Sequence, residues 1–150
     1  MRLACRAYAT HDLPQLLDLW VESWSEVDAT IDFNDRRGWF TDHIAAWIRE
    51  GKICRVIMDD PAVEILGFIL LDSASGHLDQ ICVAAPCKGQ GVGEALMQEA
   101  RKLSAHGLHL EVNAMNHRAI RFYQRQGFTK TGEGFNPRSG LPIHHYHWRP

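Results

Sequence analysis

A chain of 150 residues, 45% of them hydrophobic, is long enough for one ordinary globular domain with a core of its own, and residues 1–150 are expected to form that single unit. A formal net charge of −2 leaves no basic face to wrap nucleic acid and does not favour an anionic membrane surface. With no charged leader before an apolar core, and no apolar run near the ~20 residues that span a bilayer, a cytoplasmic location is expected, with neither nucleic acid nor membrane as partner.

Leu3 to Tyr8 reads as the first strand. Asp12 then stands where a helix cap belongs, with Pro14 in the first turn and Gln15 three residues on as in a capping box. Leu13, Leu16, Leu17, Trp20 and Trp24 follow at helical spacing and mark a buried face. From Val21 to Asp35 the chain carries Glu22, Glu26, Asp28, Asp32 and Asp35 without a Lys or Arg, which is either a solvated acidic surface or a rim that attracts a cation. A second helix is predicted over Arg37 to Arg49, with Trp39, Phe40, Ile44 and Trp47 as its apolar stripe and Gly51 closing it. Strands are predicted at Ile53 to Met58, Ile65 to Leu71 and His77 to Val83, joined by the turn-rich "DDPA" and "DSASG", so these neighbours should run antiparallel. A helix is expected from about Gly91 to His106, a strand from Leu108 to Asn113, a helix over "NHRAIRFYQRQ" with Gly127 as its stop, a strand from Phe128 and a last strand from Ile143 to Trp148. Antiparallel pairs at the front and a β-helix-β crossover at the back predict a mixed sheet with helices on both faces.

Cys5, Cys54, Cys82 and Cys87 lie at wide intervals and lack zinc-pair spacing, so free thiols are expected. In "PIHHYHW", strand alternation puts His145 and His147 on one face and His144 on the other; no third ligand accompanies them and no metal is expected.

The stretch "ICVAAPCKGQGVGEALMQEA", residues 81–100, passes from a strand through closely spaced glycines into a helix. A helix that starts on such a loop presents unpaired N–H groups and the positive end of its dipole, which is an anion site. A nucleoside triphosphate loop is rejected because Lys88 precedes the glycines and Glu94 stands where a Lys-Ser/Thr pair is needed. A dinucleotide loop fares poorly because Glu94 takes the third glycine's place and "AAPCK" separates strand from glycines, although Glu111 falls where a ribose-binding acid would be expected. A tight turn that needs glycine only for its backbone angles remains open on this stretch alone.

A second constellation, "LEVNAMNHRAIRFYQRQGF" at residues 110–128, stands downstream of "KGQGVG" at 88–93. Together, in this order, they resemble the GCN5-related N-acetyltransferase (GNAT) superfamily: a Gln/Arg-x-x-Gly-x-Gly/Ala loop, then an Asn, an Ala three residues later, an aromatic, a Tyr and Gly-Phe. Here these are Asn116, Ala119, Phe122, Tyr123, Gly127 and Phe128, and Lys88 departs from the usual Gln or Arg, keeping a charge but losing the planar fork. The resemblance covers residues 2 to 148 and is closest to small bacterial members that acetylate protein lysines or N-terminal amines. It implies an α/β (α+β) GNAT fold, a central mixed and mostly antiparallel sheet of six to seven strands flanked by about four helices, in a monomer or homodimer.

The resemblance further implies transfer of acetyl from acetyl-coenzyme A to a primary amine, with direct attack in a ternary complex, no metal, and a non-catalytic acetyl-coenzyme A sensor as the alternative. Main-chain N–H groups of Gly89, Gln90, Gly91, Val92, Gly93 and Glu94 would hold the diphosphate, with Lys88 beside it. The strand edge at Ile81, Cys82 and Val83 would pair with the pantetheine arm, Asn116 would hydrogen-bond it, and Ala119 and Phe122 would line it, although Phe122 serves equally as core. A bulge in that strand would open the sheet. Tyr123 takes the position of the acid that protonates the thiolate, or else is a packing tyrosine. Glu111, twelve residues earlier, takes the position of the base, or else is salt-bridged or solvent-facing; Asp79 is the next candidate. Val83 N–H would polarise the thioester carbonyl. Trp24, Trp39, the acidic stretch and the final histidines would border the acceptor.

Overall fold

The computed structural model describes residues 1–61 and 63–150. Its elements, in chain order, are β1 (Leu3–Ala7), α1 (Leu13–Val27), α2 (Arg37–Arg49), β2 (Ile53–Asp59), β3 (Ile65–Asp72), β4 (His77–Val83), α3 (Val92–Leu103), β5 (Leu108–Asn113), α4 (His117–Arg125), β6 (Thr129–Phe135) and β7 (Pro142–Trp148), with short 3-10 turns before α1, α2 and α3. One seven-stranded sheet has the order β1-β2-β3-β4-β5-β7-β6, and every neighbouring pair is antiparallel except β4 and β5. That parallel pair is joined through the single helix α3, a crossover connection.

Two apolar layers hold the helices to the sheet. On one face Leu16, Trp20, Phe40, Ile44 and Trp47 of α1 and α2 bury themselves against Val56, Phe68, Leu70 and Cys82. On the other, Val92, Leu96, Met97 and Ala100 of α3 and Tyr123 of α4 pack on Leu71, Leu78, Leu108, Leu110, Val112 and Tyr146. Strand β3 is buried along both faces from Ile65 to Leu71, hence its unbroken apolar sequence.

The start of α1 corrects the sequence reading. Pro14 does lie in the first turn, but the Asp12 side chain makes no helix-cap bond. Its carboxylate instead accepts both guanidinium N–H groups of Arg6 at 2.8 Å and the N–H of Ala9 at 2.8 Å. Gln15 is not a capping partner either: its Oε1 accepts the N–H of Ile65, fifty positions away, across the end of β3. A buried carboxylate goes to the strongest donor in reach, and a bidentate guanidinium outcompetes a helix N–H.

Strand β4 carries the bulge the resemblance implied. Its register with β3 shifts between Leu70 and Leu71, which leaves Asp79 as the extra residue. Leu78 therefore packs on the α3 side while Cys82 packs on the α1 side, although a regular strand would put both on one face. Beyond the bulge β4 diverges from β5: their register consists of the single pair His77↔His109, supported by the His109 N–H donating to the carbonyl of Gly76 at 2.9 Å. Among the described residues no helix is long and apolar enough to cross a membrane, and all four cysteines are free.

Candidate active site

The divergence of β4 from β5 opens a cavity of about 700 Å3 through the sheet. One wall is Leu78 to Val83 of β4, the facing wall Leu110 to Asn113 of β5, and the ends are closed by the glycine loop, α4 and the C-terminal half of α1.

The loop supplies the donor set that the sequence implied, less one. Gly89 and Gly91 sit at φ +82° and +87°, where other residues are strained, and a side chain at either would meet no protein atom, so the space above them is open. Gly93 is different: an added Cβ would lie 3.3 Å from the Phe122 ring, so this glycine exists for close packing of α3 on α4. Among the described residues the N–H groups of Gly89, Gly91, Val92, Gly93 and Glu94 have no partner, whereas that of Gln90 is taken by the carbonyl of Cys87 at 3.2 Å. The Gln90 side chain also turns back, donating to the Pro86 carbonyl, so Gln90 belongs to the loop's own turn and not to an anion site. Val92 contributes only its backbone, its side chain being fully buried. Lys88 lines the cavity but its ammonium rests on Glu26 of α1 at 2.6 Å, a contact across sixty-two positions that no local pattern announces.

Ile81, Cys82 and Val83 line the gap with their backbone. The Ala84 N–H donates to Leu66 of β3, so by alternation the N–H groups of Ile81 and Val83 face away from β3 into the gap. The Cys82 side chain is buried, and burial pushes its thiol up to about 12. Asn116 caps α4, its Oδ1 accepting the Ala119 N–H at 3.2 Å, which leaves only its NH2 group to meet a ligand. Ala119 lines the cavity, and Phe122 does so while also packing against the core.

Tyr123 and Glu111 both line this cavity. The Tyr123 hydroxyl makes no hydrogen bond among the described residues, and desolvation, with a smaller contribution from Cys82, holds its phenol far above its ordinary value, so it keeps its proton. Glu111 is bound by the Nε2–H of His77 at 2.8 Å. That bond holds the carboxyl below the usual range against partial burial, and the same bond raises His77. Asp79 also lines the cavity and accepts from Nε2–H of His43 on α2 at 2.7 Å. Trp24 donates to Gln80 at 3.3 Å on the same wall. Sequence reasoning passed over both histidines. His43 stands four residues from Trp39 and from Trp47, inside the predicted apolar stripe, and a lone histidine in such a stripe was the available signal.

The histidines of β7 take the faces that alternation predicted. His145 lies opposite Glu111 and His147 opposite His109, while His144 faces Glu133 at 3.8 Å on the other side. None of them lines the cavity, so they do not border an acceptor there.

A sheet split beside a loop of free N–H groups, with a protonated phenol and a carboxylate on the walls, defines an acetyl-coenzyme A-dependent acyltransferase. The unpartnered loop N–H groups and the free edge of β4 suit the phosphates and the amide-bearing arm of such a donor. A family described as "Acetyltransferase (GNAT) domain" matches residues 43–150, and the chain belongs to that family. It is 33% identical over 120 residues to the peptidyl-lysine N-acetyltransferase YjaB of Salmonella typhimurium, covering 79% of this chain and 77% of that protein. It is 29% identical over 140 residues to the peptidyl-lysine N-acetyltransferase YiaC of Escherichia coli, covering 91% and 90%. The solution structure of apo YjaB from Escherichia coli superposes with a TM-score of 0.76 at 26% identity over 99% of this chain and 98% of that one. The PaiA N-acetyltransferase of Thermoplasma acidophilum, solved with coenzyme A, shares the fold at a TM-score of 0.79 and 18% identity over the full length of both. The protein is an N-acetyltransferase that moves acetyl to an amine.

Proposed function

We propose that the acceptor is a lysine side chain of a peptide or protein, and that Glu111 and Tyr123 act as base and acid on the two walls of the gap. The observation that carries this reading is the convergence on one cavity of a carboxylate kept ionised by His77 and a phenol kept protonated by burial. Its relatives YjaB and YiaC, both peptidyl-lysine N-acetyltransferases, support the acceptor class.

Acetyl-coenzyme A supplies an activated acetyl group and a thiolate leaving group. A lysine amine is almost wholly protonated at neutral pH, and Glu111 takes the proton that must leave before nitrogen can attack the thioester carbon. The Val83 N–H stands ready for the carbonyl oxygen as charge develops on it. As the carbon–sulfur bond breaks, Tyr123 gives its proton to the sulfur, the attacking nitrogen loses its second proton to water, and exchange with solvent then reprotonates Tyr123 and deprotonates Glu111. Cys82 supports direct transfer, because a thiol pushed up to about 12 is not a nucleophile at neutral pH. The test is Glu111→Gln with a lysine peptide, followed by thiol release and mass spectrometry: kcat should fall about 10²-fold, with donor affinity kept. An unchanged rate at every pH would remove Glu111 as base.

A further inference from the structure

A second cavity, of about 280 Å3, lies on the helical side of the molecule, lined by Trp20 of α1, Arg36 of the turn before α2, Trp39 of α2 and Arg138 of the β6–β7 loop. Its donor groups are unspent. Trp20 is 3% exposed, and its indole N–H has no partner among the described residues; a buried donor left so is costly until something accepts from it. Arg36 and Arg138 form no ion pair among the described residues. Neighbouring Arg37 is committed to Asp18 at 2.9 Å and to Asn34 at 2.9 Å. Aromatic faces hold the two free guanidiniums instead: Arg138 Cζ lies 3.6 Å from the centre of the Trp39 ring, and Arg36 Cζ 5.7 Å from that of Phe33. Stacking occupies the face of a guanidinium and leaves its N–H edge available. No carboxylate lines the cavity. A site lined by two guanidiniums held on aromatic faces, with no carboxylate among its lining residues, asks for an anion with in-plane oxygens.

The cavity is one layer away from the gap where acetyl transfer takes place. The Trp39 ring stacks on His43 with centres 4.9 Å apart, His43 bonds Asp79, and Asp79 lines the gap. Trp20, Arg36 and Trp39 all precede residue 43, where the family match begins.

We propose that this cavity is a carboxylate-binding subsite that selects lysines flanked, within a few residues, by Asp or Glu. The inference rests on the peptide-lysine reading above. It divides the acceptor's charges: the acidic stretch around Glu22, Glu26, Asp28 and Asp32 draws the ammonium, and the arginine pair takes the neighbouring carboxylate.

The experiment uses the full chain, acetyl-coenzyme A and paired peptides that differ only by Glu or Gln at each position within four of a single lysine. At one position the Glu peptide should show a kcat/KM about tenfold or more above its Gln twin, and Arg36→Gln and Arg138→Gln should each pull that ratio towards one. Equal rates for every wild-type pair, or variants that slow both twins by one factor, would overturn the subsite, and so would preference for a phosphoserine peptide over the Glu peptide. A titration free of turnover separates this from the acceptor reading: a lysine-free, end-blocked Glu tripeptide should change the tryptophan fluorescence saturably in the wild type and not in Arg138→Gln. A flat wild-type titration overturns the subsite. A saturable one without acetylation of any lysine peptide upholds it and overturns only the acceptor reading.

Discussion

The two sides of the gap are built on different terms. On the donor side the work falls to backbone: free N–H groups of a loop whose glycines sit at φ +82° and +87°, and the open edge of β4. On the acceptor side it falls to side chains paired across long stretches of sequence, such as Glu111 with His77, Asp79 with His43 and Trp24 with Gln80. Backbone geometry restricts which residue can stand at each position and so leaves a motif; a side-chain pair needs only two compatible groups that the fold brings together. The backbone-built side is thus the conspicuous one in the sequence, and the side-chain-built one is not.

Substitutions on the two sides should therefore fail in different ways. The largest effect is expected for Tyr123→Phe, with turnover down about 10²–10⁴-fold while calorimetric donor affinity stays near wild type; a full rate would leave the donor side without its acid. Next comes Asp12→Ala. It strips a buried carboxylate from Arg6 and Ala9 and should cost about 2–3 kcal/mol of stability, read as a lower denaturation midpoint; a wild-type midpoint would show that α1 is held without this pair. Gly91→Val forces a branched residue into a left-handed backbone worth about 1–3 kcal/mol of strain, and should weaken donor binding about tenfold or more. If affinity is kept, the loop's backbone is not what holds the donor.

The smallest effect belongs to the His77–Glu111 pair. Its hydrogen bond raises His77, so that contribution is complete below about pH 6.5 and is lost as pH rises through the higher folded value. The same bond lowers Glu111, whose contribution is complete above about pH 4.3 and is lost as pH falls through the lower folded value. His77→Asn should thus reduce stability most between about pH 4.3 and 6.5, by under about 1 kcal/mol because solvent screens both groups. A difference that does not vary with pH would mean the two groups do not share a charge.

This division also explains what could be read in advance. Strand β4 (His77–Val83), β5 (Leu108–Asn113) and helix α2 (Arg37–Arg49) match the predicted bounds, and the loop and Tyr123, which the family resemblance singled out, line one cavity. The cap at Asp12 was misread because the capping rule weighs only the helix's own N–H groups, whereas Arg6, six positions earlier on β1, offers a guanidinium. Lys88 could be given a place but not a partner, since Glu26 reaches it from another helix. The bulge at Asp79 leaves "HLDQICV" looking like an ordinary strand, yet it decides which residues face α1. Such facts arise from packing between distant segments, which no window of sequence contains.

One consequence of the single register pair between β4 and β5 reaches past chemistry. The sheet is left as two leaves joined at one end, with unsatisfied peptide groups along the slit. An extended acyl carrier lying in the slit would close it as a missing rung does, making the same molecule at once reagent and splint. Amide exchange at Ile81 and Val83 should slow when it is present, and thermal resistance should rise with its concentration even where no acetyl group is moved.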